Sequence, residues 1–211
     1  MLSIVSARTI SQCPSLYLSQ FRLRHRQFIE RQKYDVKIIE DMEFDEYDTL
    51  VSAYLVYSED GKTALGCSRL TPVAYGCMLK DHFPDLVEDH SIFSSERTWE
   101  GTRFCIDNAL PADKRRHILQ QLAAGYLEFG LSRGADRIIG LMPTLILRSV
   151  FARNGIPLTP LGPVRAIGIH SKIQAAAIEI TEDAYLAACA VTGINRPLGL
   201  IGAQGQVRDV A

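Results

Sequence analysis

Apolar and polar residues alternate along this chain with two periods, and each period marks an element. "LSIVSA" near the start is a short apolar run and predicts a first strand. A helix is predicted near residues 14–31, where Leu16, Leu23 and Phe28, with Phe21 seven residues before Phe28, form an apolar face. The same helix carries Arg22, Arg24, Arg26 and Arg31. From Gln32 to Glu46 the periodicity fades and acids accumulate, which reads as a mobile connection. "LVSAYLVYSEDGKTALGCSRLT" predicts two strands joined at Asp60-Gly61, a strong hairpin signal. Residues 78–90 read as a short helix and loop. "TWEGTRFCID", residues 98–107, is a strand with Asn108 and Pro111 as breakers behind it. A second long helix, about 112–133, ends near Gly134, a fitting C′ glycine. "DRIIGLM" is a buried strand, and Thr144 is the candidate cap of a helix running to Asn154, with Gly155 ending it. "AIGIHSKIQAAAIEIT" is one further strand region, bent or straight. Residues 182–190 are weakly helical, and the Gly-rich tail from about 193 is expected to be flexible.

The order is strand, helix, hairpin, then strand–helix–strand–helix–strand. That sequence of elements predicts an α/β fold, a mixed central sheet with helices on both faces. No repeat, low-complexity segment or linker interrupts it, so one domain over residues 1–211 is expected. The centre, from "RFCID" to "FARNGI", resembles the layout of a GNAT-type acyltransferase, a likeness of fold that does not assign function.

Composition narrows the classes. Apolar residues are 47% of the 211, enough for a sizeable core, and the net charge is −1. No strong field advertises nucleic acid or an anionic membrane as partner. The five cysteines, Cys13, Cys67, Cys77, Cys105 and Cys189, are scattered without a CxxC pair, so neither a disulfide framework nor a zinc site is suggested. The first residues lack the charged start and long apolar run of a signal peptide, and no apolar run is long enough to cross a bilayer. A cytoplasmic, soluble protein is the expectation.

Charge within the predicted strands is what points to chemistry. Glu100 and Arg103 sit in "TWEGTRFCID" beside the only tryptophan, Trp99. Residues three apart on a regular strand face opposite ways. A bulge at Gly101 would turn both charges into one cleft, and Arg69 of "GCSRL" is expected opposite Glu100 across the sheet. Arg24 and the acid run "EFDEYD" (Glu43, Asp45, Glu46, Asp48) complete the set. Each has a plainer reading: an acid run as solvated surface, Arg24 as helix solvation, Trp99 as core. The five histidines show no HxxxH or HExxH spacing, so no metal site is expected. No G-x-S-x-G elbow, P-loop or GxGxxG occurs. Lys114, Arg115 and Arg116 form a basic run at a helix start, read as a solvated face or a contact for an acidic partner.

Five short motifs occur in order over residues 20–106: R-x-x-x-F (Arg24, Phe28), E-x-D-x-Y-D (Glu43, Asp45, Tyr47, Asp48), G-x-x-R-L (Gly66, Arg69, Leu70), M-L-x-D-x-F (Met78, Leu79, Asp81, Phe83) and W-E-x-x-R-F (Trp99, Glu100, Arg103, Phe104). In this series the chain resembles the acyl-homoserine-lactone synthases, the autoinducer synthases of quorum sensing. The family usually has Trp six residues after the Phe, where this chain has Tyr34. The resemblance implies a GNAT-like three-layer α/β/α sandwich with a V-shaped cleft. It also implies acyl transfer from an acyl carrier protein or acyl-CoA thioester to the amine of S-adenosylmethionine (SAM), with lactone closure releasing methylthioadenosine. Both are substrates, and no cofactor is implied.

Roles follow from the same resemblance. Glu100 is the candidate base, with Arg69 and Arg103 beside it, and backbone N–H groups of residues 103–105 are candidates to stabilise the oxyanion. Arg24, Phe28, Tyr34, Asp45, Asp48, Trp99 and Phe104 are candidates for SAM. Leu141, Met142, Pro143, Leu145 and Ile146 are candidates for the acyl pocket, with Thr144 close by. Two rivals stay open. A plain acetyl-CoA N-acetyltransferase would want glycines before the long helix, and "NALPADKRRH" has none. The other rival is a non-catalytic SAM or acyl-chain binding module.

Overall fold

The computed structural model describes residues 1–34, 36–167 and 171–199. Strand β1 (Leu2–Ser6) leads to helix α1 (Pro14–Arg24), which opens on a proline, a residue suited to the first helical turn. The helix continues into a π-helical turn, His25–Arg31. Short strands β2 (Ile38–Ile39) and β3 (Met42–Glu43) pair with each other. Strands β4 (Ala53–Tyr57) and β5 (Gly66–Pro72) form the expected hairpin, with Gly61 at φ +70° in its turn. Helix α2 (Met78–His82), strand β6 (Thr98–Ile106), helix α3 (Ala112–Arg133) and strand β7 (Arg137–Pro143) follow. Then come α4 (Thr144–Val150), β8 (Thr159–Pro160), β9 (Arg165–Ile167), β10 (Ser171–Glu179) and α5 (Glu182–Thr192).

The main sheet runs β1-β4-β5-β6-β7-β10-β8, with β9 also on β10. Its pairs are antiparallel except β6 with β7, which α3 joins by a crossover. That parallel pair is short. Only Thr98–Glu100 lie against Arg137–Ile139, although β6 runs on to Ile106 and β7 to Pro143. Beyond Glu100 and Ile139 the strands part, leaving a V-shaped cleft.

Both faces of the sheet are covered, so β4 is buried at every position. Ala53, Leu55 and Tyr57 face a core under α3 with Leu122, Tyr126 and Phe129, while Tyr54 and Val56 face α1 with Leu16, Phe21 and Leu23. The second face is divided. One apolar cluster lies under α1, and another, with Leu79, Ile139, Ala175 and Ala177, lies on β7 and β10. Between them, Arg69 on β5 and Glu100 on β6 are buried charges.

Several local expectations are corrected. Thr144 is the first residue of α4, which ends at Val150, and makes no capping bond; a 3-10 turn, Ala152–Asn154, then reaches Gly155 at φ +80°. The region from 166 holds two antiparallel strands, β9 and β10, not one. Gln32 to Glu46 carries the β2–β3 pair instead of a featureless connection. After Gly193 the described residues pack on the fold: Ile194 and Leu198 are buried, and the Leu198 N–H donates to the buried Glu128 carboxylate at 2.7 Å. Residues 200–211 of that tail lie outside the described residues.

Candidate active site

The charged group on β5 and β6 is drawn from four elements. Arg24 ends α1, Glu43 ends β3, Asp45 and Asp48 follow in the next turn, and Arg69 and Arg103 come from β5 and β6. Arg24, Glu43 and Arg69 are 0–1% exposed, which is tolerable only if every charge is matched. Each is. Arg24 donates from Nε to Glu43 at 2.5 Å and grips both Asp48 oxygens at 2.7 and 2.8 Å. Arg69 grips both Asp45 oxygens, the Nη2 bond at 3.0 Å, and lies 3.0 Å from Asp48. Arg103 reaches Glu43 at 3.0 Å and Asp45 at 2.6 Å. Three guanidinium groups thus meet three carboxylates in a closed network, and Tyr54 donates to Asp48 at 2.9 Å. Burial alone would raise the Asp48 carboxyl, but Arg24 and Arg69 outweigh it and hold it well below the usual carboxylate range.

A bulge brings Arg103 into this group. Cys67 and Arg69, two residues apart on β5, face Cys105 and Thr102, three apart on β6. The extra residue falls at Arg103–Phe104, and Arg103 takes the left-handed φ of +54°. The bulge is therefore at Arg103, not at Gly101. Gly101 serves a different need: a Cβ there would lie 2.6 Å from the Tyr126 hydroxyl. Arg69 stands opposite Thr102, and Glu100 stands opposite Thr71, so Arg69 and Glu100 are diagonal rather than paired.

Glu100 is 3% exposed and accepts from the Met78 N–H at 2.8 Å and the Leu79 N–H at 2.7 Å, at the start of α2. Burial raises its carboxyl above the ordinary carboxylate value, against the pull of these N–H groups and of Arg69. The site opens on the side of Arg103, whose guanidinium lies 5.8 Å from the centre of the Phe28 ring. Phe28 stacks on Tyr34 at 5.8 Å, and Tyr34 is 52% exposed.

On the other face of β6, a small apolar pocket lies in the cleft between β6 and β7. Gly101, Tyr126, Ile138, Gly140, Met142 and Phe151 are among its lining residues. A Cβ on Gly140 would stand 2.9 Å from the Gly101 carbonyl, so glycine lets the strands approach at the apex. Glu100 is the last paired residue of β6 before this cavity, and Gly101 is the first to line it.

Arg24, Asp45, Asp48, Arg69 and Arg103 come together, with Phe28 and Tyr34 at their rim and Glu100 alongside. Trp99 and Phe104 do not join them. Trp99 meets Phe129 of α3 edge-on at 4.9 Å, and Phe104 packs near Tyr126 and Phe151 at 6.2 Å. Of the residues expected at an acyl pocket, Met142 lines the cavity. Leu141 packs on the opposite face with the Val73 and Leu79 cluster. Pro143, Leu145 and Ile146 are exposed, because α4 starts at the surface and turns only Leu147 and Val150 inward. Glu43 heads the E-x-D-x-Y-D motif but is not among the candidate site residues, yet it joins Arg24 to Arg103; its two apolar neighbours, Met42 and Phe44, are the available sign of burial. Among the described residues no group of three or more His, Cys, Asp or Glu side chains could hold a metal ion, and no helix is long and apolar enough to cross a membrane.

A mixed sheet that parts around a parallel pair, with helices on both faces, is the architecture of GNAT-like acyltransferases. Among solved structures, BjaI, a CoA-dependent acyl-homoserine lactone synthase solved with MTA and with SAM and isopentyl-CoA, matches with a TM-score of 0.80 at 25% identity, covering 94% of this chain and 92% of that one. An acyl-homoserine-lactone synthase of Rhizobium radiobacter is 34% identical over 157 residues, 72% of this chain and 74% of that protein. One from Agrobacterium fabrum is 32% identical over 151 residues, 70% and 71%. The family model for autoinducer synthases matches residues 14–187, and the chain belongs to that family of acyltransferases.

Proposed function

We propose that this chain acylates the amine of SAM from an acyl thioester and closes the product to an N-acyl-homoserine lactone. One observation carries the reading. A buried charged network and a small apolar pocket lie on the two faces of β6, and Glu100 and Gly101 stand side by side between them. A polar nucleophile and an apolar donor can meet only at such a place. BjaI, a relative, has been solved with SAM and isopentyl-CoA, which supports this choice of substrates.

The chemistry follows from the groups present. SAM brings an ammonium, a sulfonium and a carboxylate. Asp45 attracts its positive groups, Asp48 adds to the field, and Arg103, the most open of the three arginines, faces its carboxylate. Phe28 and Tyr34 cover the sulfonium side. Arg24 and Arg69 hold the acids in place. A carboxylate has about four lone-pair sites. Glu100 uses two on backbone N–H groups and has capacity left to take the ammonium proton, directly or through a water. Its raised pKa suits a base working near neutrality.

The freed amine attacks the thioester carbonyl at the apex of the cleft. Backbone N–H groups of residues 103–105 steady the oxyanion, and the thiol departs with a proton. The methionine carboxylate then displaces methylthioadenosine from the carbon beside the sulfur, closing the lactone. Beyond Glu100 and Ile139 the facing edges of β6 and β7 are not paired with each other, leaving backbone groups for the amides of a carrier's pantetheine arm. The donor is acyl carrier protein or CoA. In this scheme SAM and the thioester are substrates, no further cofactor is called for, and the reaction belongs in the cytoplasm, where both are made. Purified protein given SAM and a panel of acyl thioesters on both carriers should release thiol, methylthioadenosine and lactone in equal amounts. Thiol release without methylthioadenosine would refute the reading in favour of a plain N-acyltransferase.

A further inference from the structure

We propose that Tyr47 and Asp81 are positioning residues for Glu100: the hydrogen bond between them ties the acid turn, where SAM is held, to the segment that holds the base. This rests on the synthase reading and deepens it. Both residues belong to motifs of the sequence series, and the chemistry above uses neither. Tyr47 is 6% exposed and is fixed at every polar atom. Its N–H donates to Asp45 Oδ1 at 2.9 Å, its carbonyl accepts from the Ser52 hydroxyl at 2.8 Å, and its hydroxyl donates to Asp81 at 2.9 Å. Its ring lies 5.7 Å from the Arg69 guanidinium, and a Cβ on Gly76 would stand 3.3 Å from that ring. On one side Tyr47 thus touches the charged network, and on the other the chain that leads into α2.

That chain needs an anchor. Met78 and Leu79 donate the two N–H bonds that hold Glu100, and α2 has only five residues. So short a helix is not stable by itself. Two other contacts join α2 to the charged group, and both are weak. Arg103 Nη1 lies 3.8 Å from Met78 Sδ, and His82 approaches Glu46 to 3.6 Å with both side chains in solvent. The Tyr47–Asp81 bond is therefore the strong tie. Asp45, at one end of it, faces the SAM ammonium, and Glu100, at the other, takes the proton, so the tie sets the gap the proton must cross.

Loosening the tie lets the two N–H groups leave Glu100. These bonds pull its carboxyl down against burial, so their partial loss raises it further. The other groups facing Glu100 are Arg69 from β5, Cys77 ahead of α2, Tyr47 itself and Tyr126 from α3. Burial pushes the Cys77 thiol up to about 12 and raises both phenols, so near neutrality Arg69 is the charged one of these four, and its charge is the same in every variant below.

The test is Tyr47→Phe, which keeps the ring and removes one hydroxyl. Turnover should fall about 10-fold with the KM for SAM within about 2-fold, since Arg69 and Arg103 still hold Asp45. The acid limb of kcat/KM should move up by about 0.5–1 pH unit. In Glu100→Gln there is no base to place, so adding Tyr47→Phe should change the residual rate by less than about 2-fold. Two readouts need no turnover. Carbon NMR titration of the Glu100 carboxyl should show the same rise, and the Met78 and Leu79 amides should exchange faster. Asp81→Ala should speed that exchange likewise, and Asp81→Asn, whose amide oxygen still accepts from Tyr47, should keep it near the wild-type rate. An unmoved Glu100 titration or unchanged exchange in Tyr47→Phe, a rate loss of about 10-fold that persists in Glu100→Gln, or equal exchange in Asp81→Ala and wild type would overturn the proposal. If no donor is turned over, the synthase reading fails, and the titration and the exchange decide this one.

Discussion

Replacing Glu43 by alanine removes the carboxylate that Arg24 and Arg103 share. Glu43 is fully buried, takes the Arg24 Nε bond at 2.5 Å, and takes two bonds from Arg103 at 3.0 Å. Arg24 would keep Asp48, and Arg103 would keep Asp45, but the buried group would pass from balanced to one net positive charge. Breaking a buried ion pair by removing one partner costs about 3–5 kcal/mol, because the remaining charge has lost its compensation. For a chain of this size each kcal/mol moves Tm by about 2–4 °C, so a fall of about 6–20 °C is expected. Glu43→Gln also removes the charge and turns an NH2 donor towards one of the two guanidinium groups, so it should lose about as much. Urea unfolding monitored by Tyr and Trp fluorescence gives the free energy, and calorimetry gives Tm. A loss below about 1 kcal/mol for Glu43→Ala would refute the reasoning, since that is what an exposed pair contributes.

Three further outcomes follow from the same geometry. Asp48 has a folded pKa held below its unfolded value, so its stabilising contribution is present above about pH 4 and is lost as pH falls towards the folded pKa; urea midpoints measured down to about pH 3 should fall more steeply for wild type than for Asp48→Asn. Glu100→Gln should cut turnover about 100-fold or more while the fold survives, and should abolish the acid limb of kcat/KM, which burial sets above the ordinary carboxylate value; near-normal turnover would remove Glu100 from the base role. Tyr34→Ala should raise the KM for SAM, and Tyr34→Trp should leave it equal or lower, because a larger ring on Phe28 offers a wider face to the sulfonium; an unmoved KM in Tyr34→Ala would make Tyr34 ordinary surface.

What could be read from the chain, and what could not, divides along a physical line. The bounds of α3 and its αL glycine at Gly134 depend on local pattern, and the sequence shows them. The bulge at Arg103 depends on counting residues across two strands at once, and neither strand contains that count. The acid run looked like surface because its partners, Arg69 and Arg103, lie 24 to 60 residues away. The sequence does not show on which side Trp99 and Phe104 lie, because β6 is covered on both faces. Apolar character then says that a residue is buried, but not under which layer. The register of β6 decides that question, and it puts both under α3. Leu145 and Ile146 are apolar yet exposed, since apolar side chains at a helix start need not point inward.

The central claim is that two substrates meet across β6, SAM on the charged face and the acyl chain in the cleft. Amide hydrogen exchange with each ligand alone tests it most directly, using SAM and a non-reactive acyl-pantetheine thioether. SAM should protect the segments around Phe28, Asp45 and Asp48, and the thioether should protect Gly101 to Phe104 and Gly140 to Met142, where the strand edges have parted. Protection of the same segment by both ligands, or of neither strand edge by the thioether, would contradict the account.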